Sequence, residues 1–253
     1  MPKLSVCIEM FWGDLSFEER IKRVGSLGIP AAEFWFWGGK DLNSLKAAAD
    51  KAGVIVPIFF LEAKMPAVHP NAAAALVEGA KASVQAAKVM GNRLLMLTVG
   101  NERKGESFAV TRHSLVRNLK AALPVLEDAG ITLCIEPLNP IVDHLGYWLT
   151  KMSDAADIVA EINSPHLKIL MDIYHQQITE GNIIDNLRQY ASMIGHIHCA
   201  GVPGRGDLAG GELDYRSLFK VIDQMGYTGH VGLEFRASGA PEEALKQAMD
   251  LAR

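Results

Sequence analysis

The stretch "LKILMDIYHQQ", Leu167–Gln177, decides the fold. Leu167, Ile169, Leu170 and Met171 form a short apolar run that stops on a carboxylate, Asp172. A near-continuous apolar run of this length is the mark of a parallel strand covered on both faces. Its end is where a charge can be tolerated. A helical segment, "NIIDNLRQYAS", follows.

The same alternation runs through the whole chain. The strand-like runs are "LSVCIE", "AEFWFW", "VIVPIFF", "RLLMLTV", "TLCIEPL", "LKILMDIY", "IGHIHCA" and "HVGLEF". Amphipathic helical segments separate them. Ser16 and Asp41 stand where helix N-caps belong, and Gly53 stands at a helix stop. Strands alternating with helices pair in parallel through right-handed crossovers. Eight such units in 253 residues predict an α/β fold, a (β/α)8 TIM barrel. No linker interrupts it, so residues 1–253 read as one domain. A doubly wound dinucleotide-binding sheet would carry a Gly-rich turn after its first strand. Here that turn is "EMFWGDLS", without GxGxxG or GxxxxGK[ST].

Composition narrows the function. The net charge is −4, which gives no electrostatic footing for a nucleic-acid partner. Cys7, Cys134 and Cys199 lie in apolar strand-like runs without a CxxC, and read as buried thiols in a reducing compartment. There is no signal-peptide pattern and no apolar run long enough for a bilayer, so the expected setting is cytoplasmic, away from membranes.

In such barrels the chemistry sits at the C-terminal ends of the strands. Strands five to eight end on Glu136, Asp172, His198 and Glu234, which are 36, 26 and 36 residues apart. One acid at a strand end is commonly a helix cap or a loop ion pair. Four metal-capable side chains at one height are another matter. Three carboxylates at one barrel mouth are costly unless a cation neutralises them. Mostly oxygen donors with one imidazole suit Mn²⁺, Mg²⁺ or Co²⁺.

Neighbouring residues extend the site. His196 shares a strand face with His198 and is expected one layer deeper as a hydrogen-bonded interior residue. His175 is expected in the loop over the mouth, and Arg205, in "GVPGRGD", beside it. Both are candidates to hold a substrate oxygen or carboxylate. Trp12 and Trp37 are late enough in their strands to wall a pocket. His69 and Glu62 are weaker pocket candidates.

At these residues the chain resembles the hydroxypyruvate isomerase family, within the xylose-isomerase-like TIM barrels of sugar isomerases and epimerases. The resemblance rests on "IEPLN", "GYWLTKMSDAADIV", "MDIYHQQITEG", "HIHCAGVPGRGD", "GELDY" and "GYTGHVGLEF". It implies that Glu136, Asp172, His198 and Glu234 bind a divalent metal and that Glu136 and Glu234 move a proton. It further implies that His175 and Arg205 touch the substrate, and that the chain forms a dimer or tetramer. Two places depart from the family pattern. The family carries glutamine where this chain has His198, a histidine more like that of the ketose 3-epimerases. The loop "EAKMPAVHPN" also replaces a Gly- and charge-rich segment.

The expected activity is therefore metal-dependent isomerisation of a small sugar or oxo-acid through an enediolate. The alternatives are a ketose 3-epimerase, or a dehydratase or lyase using the same chemistry. Related barrels that cut DNA at abasic sites use more histidines and a basic face, and this chain has eight His in all.

Overall fold

The computed structural model describes residues 1–253. Eight strands pair in parallel: β1 (Lys3–Cys7), β2 (Ala31–Glu33), β3 (Ile58–Phe60), β4 (Leu94–Leu97), β5 (Thr132–Ile135), β6 (Leu167–Asp172), β7 (Ile194–Cys199) and β8 (His230–Leu233). The ladder runs β2-β1-β8-β7-β6-β5-β4-β3. Between β2 and β3 the barrel closes by a single bridge, Ala31 to Ile55, with Phe60 N–H donating to the Trp35 carbonyl at 2.8 Å. This is the TIM barrel the alternation predicts.

Nine helices lie between and after the strands: α1 (Phe17–Ser26), α2 (Leu42–Ala52), α3 (Ala73–Met90), α4 (Phe108–Ala129), α5 (Met152–Ile162), α6 (Ile173–Thr179), α7 (Ile183–Gln189), α8 (Tyr215–Gln224) and α9 (Pro241–Leu251). The expected caps are present. The Ser16 hydroxyl accepts from Glu19 N–H at 3.3 Å, and the Asp41 carboxylate from Asn43 and Ser44 N–H. Gly53 ends α2 at φ +66°, a conformation glycine adopts without steric cost. On α8, Tyr215, Leu218, Phe219 and Ile222 recur at helical spacing and are buried.

Two strands are shorter than their apolar runs. Pro57 lacks an N–H, so β3 starts after it. Past Glu33 the chain leaves the ladder, and the Trp37 and Gly38 N–H groups donate to Glu62 Oε1 at 2.6 and 2.7 Å.

The barrel interior has two halves. On β3 to β6, Ile58, Met96, Cys134 and Leu170 form a small apolar cluster separate from the larger core under the helices. On the other side stand buried polar residues: Ser5, Glu33, His196 and His198.

Candidate active site and metal centre

Side chains alternate along a strand, so residues two apart share a face. Glu136 lies two past the interior Cys134, Asp172 two past Leu170, His198 two past His196, and Glu234 two past Gly232. All four point into the mouth. Asp172 and His198 are ladder partners, as are His198 and Gly232, which sets them at one height. One ligand atom from each of the four lies within 4.8 Å of the others, and every one is buried.

Arg205 crosses this cluster. Its Nη2 lies 2.7 Å from Glu234 Oε2 and 3.5 Å from Asp172 Oδ2, and its guanidinium stacks 5.3 Å from the Tyr174 ring. Its backbone is left-handed at φ +56°, between two glycines.

His198 Nδ1 faces Glu234 Oε2 at 3.1 Å and Glu136 Oε1 at 3.8 Å, while Nε2 lies 2.7 Å from Glu33 Oε1. These oxygens sit off the ring N–H directions, so both buried nitrogens lack a formed hydrogen bond. Glu33 Oε2 also meets His196 Nε2 at 3.1 Å, with His196 one layer deeper, as its spacing predicts. Gly232 leaves the room for this: a Cβ there would collide with Glu33 Oε1 and come within 2.6 Å of His198 Cδ2.

The charges perturb one another. Burial pushes Glu136 up to about 8, against the pull of His198 and with the help of Glu234 and Asp172. Burial would raise Glu234 too, but His198 and Arg205 outweigh it and hold that carboxyl well below the usual range. For His198 burial favours the neutral ring, yet Glu234 and Glu33 win and raise it well above an ordinary histidine. Burial lowers His175 to about 4 despite Asp172. An orphaned Nδ1 among three carboxylates is the environment a divalent cation completes, and the donor set fits one.

A cavity of about 370 Å³ opens over the cluster. Glu136, Glu234, His175 and Arg205 line it, with Trp35, Phe36 and Phe60 on one wall and His144 and Tyr147 on another. Phe36 and Phe60 stack at 5.1 Å between centroids, and Trp35 Nε1–H donates to Glu234 Oε1 at 2.5 Å.

Several sequence expectations change here. His175 sits in α6, fully buried, and not in a loop, because the Asp172 carboxylate accepts from Tyr174 N–H and starts a helix at once. Trp12 does not wall the cavity; its indole N–H donates to Glu242 Oε1 on α9 at 2.9 Å. Trp37 turns instead to Ser83 on α3. His69 is outside the cavity, where its Nδ1 accepts from Asn71 N–H, and Glu62 holds the Trp37–Gly38 turn. The sequence pattern does not single out Glu33, Trp35, Asn139 or His144. A carboxylate inside the apolar run "AAEFWFW" is the available signal for Glu33, and Trp35 lies two residues past it, just beyond β2.

Comparison with known proteins agrees with this geometry. The xylose isomerase-like TIM barrel family matches residues 8–253. The hydroxypyruvate isomerase of Escherichia coli is 30% identical, over 97% of this chain and 98% of that one. The 2-oxo-tetronate isomerase of Cupriavidus necator is 32% identical, over 93% of each. A solved structure titled AP endonuclease, family 2, from Brucella melitensis superposes with a TM-score of 0.93 over 99% of both chains; at 24% identity it speaks to the fold alone. The chain is an enzyme of the isomerase class. It belongs to the xylose isomerase-like TIM barrel family and, within it, to the hydroxypyruvate isomerase family.

Proposed function

We propose that the chain is a divalent-cation-dependent isomerase that interconverts a small hydroxycarbonyl compound, a sugar or oxo-acid, through an enediolate. One observation carries this reading: Glu136 from β5 and Glu234 from β8 flank His198 Nδ1 and open onto the same cavity. Glu136, Asp172, His198 and Glu234 would hold Mn²⁺, Mg²⁺ or Co²⁺. A cation there would take up the negative charge that develops on adjacent substrate oxygens.

The chain's own groups do the rest. Glu234, kept ionised by Arg205 and His198, is suited to remove the proton next to the carbonyl. Glu136, ionised once a cation is held, is suited to take the proton of the adjacent hydroxyl and deliver it to the neighbouring carbon, while Glu234 returns its own proton to the former carbonyl oxygen. Arg205 and His175 orient substrate oxygens at the cavity floor. Phe36, Phe60 and Trp35 cover the carbon chain and exclude water from the proton in transit.

The histidine at 198 favours a second reading, ketose 3-epimerisation, in which the proton returns to the opposite face of the same carbon. Incubation of C3 to C6 ketoses and oxo-acids with Mn²⁺ or Mg²⁺ in D₂O, read by NMR, separates the outcomes. Deuterium with a moved carbonyl means isomerase, deuterium with inverted configuration means epimerase, and loss of water means lyase. Glu136→Gln and Glu234→Gln should each lose turnover while the circular dichroism spectrum stays native. Near-normal activity in either would sink the proposal. The family resemblance also supports a dimer or tetramer, which light scattering will size.

A further inference from the structure

The two ring nitrogens of His175 have different surroundings. Nδ1 lies 2.7 Å from Asn139 Nδ2 and 3.5 Å from Asn139 N, both donors. An atom facing two donors is an acceptor, so Nδ1 carries the lone pair. The orientation of the Asn139 amide is itself determined. Its Oδ1 accepts from the Val142 and Asp143 N–H groups at 2.9 and 3.2 Å, and its Nδ2 also donates to Asp143 Oδ2 at 2.8 Å. Turning the amide over would set oxygen against carboxylate and NH₂ against two N–H groups. Asp143 Oδ2 is held in turn by the Tyr174 hydroxyl at 2.8 Å. Asn139 and His175 are both fully buried, so the network is shielded from competing water. At the far side of the ring the buried Nε2 has no hydrogen-bond partner and lies 3.5 Å from Asp172 Oδ2, on a residue that lines the cavity.

We propose that Asn139 is a positioning residue that fixes His175 as the Nε2–H tautomer, so that His175 presents a hydrogen-bond donor to a substrate oxygen held beside Asp172. The identity of that oxygen rests on the isomerase reading above; the tautomer does not. The consequence is a separation of tasks. An imidazole with its lone pair toward the substrate would compete with the two glutamates for the moving proton. A ring held as a donor can only bind oxygen, and the proton traffic stays on Glu136 and Glu234.

The test is an NMR measurement on the ¹⁵N-histidine-labelled full chain at neutral pH with Mg²⁺, a diamagnetic cation. Two-bond ¹H–¹⁵N spectra distinguish the two neutral tautomers and the charged ring, and His175→Gln identifies the signal. The expected pattern is protonation at Nε2 alone. Protonation at Nδ1, or averaging over both nitrogens, overturns the proposal in the wild-type chain, whether or not any variant folds. Asn139→Asp sets an acceptor opposite Nδ1 and should move the proton there. Its kcat should then fall about 10²-fold, the usual effect of losing one aligned donor, with a smaller change in KM. A switched tautomer with kcat within about twofold of wild type would overturn the donor role. If the wild-type spectrum is as expected but no ketose or oxo-acid is turned over, the isomerase reading fails and the tautomer assignment stands.

Discussion

Glu33 at the end of β2 and His198 on β7 meet at 2.7 Å inside the barrel, across the two intervening strands β1 and β8. A histidine that ligates through one nitrogen is oriented through the other, and a carboxylate is a common partner. Glu33→Gln should therefore weaken Mn²⁺ binding by about 10- to 100-fold in calorimetry. Unchanged affinity would show that Glu33 serves only the deeper contact with His196.

Gly232 makes that meeting possible. Gly232→Ala puts a methyl group against Glu33 Oε1 and His198 Cδ2, both of them buried. Overpacking of this kind costs about 1–3 kcal/mol. Urea denaturation of the metal-free chain should show the loss, with metal affinity reduced in parallel.

Cation binding should stabilise the fold and release protons. A ligand at 100 times its dissociation constant adds about 2.7 kcal/mol to the native state, so Mn²⁺ should raise the melting temperature and EDTA reverse it. At pH 7 Glu136 and His198 both hold protons in the metal-free chain, Glu136 through burial and His198 through Glu234 and Glu33. Ligands must shed them, so binding should release about one to two protons. Calorimetry in buffers of different ionisation enthalpy counts them, and a count of zero would contradict the assigned ligands.

His175 should contribute a pH dependence of one sign. Its folded value of about 4 lies below the ordinary 6.5, with burial as the main cause. Between these values the unfolded chain binds a proton that the folded chain refuses, so stability rises with pH through the window. The full contribution is present above 6.5 and is lost as pH falls toward 4, about 3 kcal/mol in all. The metal-free wild type should therefore lose more stability from pH 7 to 4.5 than His175→Gln. Equal slopes for the two would refute a buried neutral ring.

The sequence revealed most about features whose signal is local. Asp172 was legible because an apolar run stops on it, and Glu136, His198 and Glu234 because strands of one barrel end at one height. Arg205 was placed over the site by its loop. Glu33 escaped because its partners lie 163 and 165 residues away, on β7, and nothing near it announces them. Trp35, and neither Trp12 nor Trp37, lines the cavity for a geometric reason. Trp35 lies only two residues past Glu33 and lines the cavity, whereas Trp12 lies five residues past the end of β1 and reaches α9. The α6 helix is not legible, although an aspartate before a turn is a strong N-cap, because an aspartate at a strand end reads equally well as a metal ligand.

The single Ala31–Ile55 bridge that closes the barrel lies away from β5 to β8, which pair through several residues each, with one register shift between β6 and β7 at Ile169/Leu170. The acids thus stand on the firmly laced half of the molecule, while Trp35, Phe36 and Phe60 stand beside the loosely laced seam. On the proposed function, substrate preference and chemistry fall to different halves of one wall. On that reading a lineage could retailor the aromatic side for a new carbon skeleton while inheriting the carboxylate side unchanged.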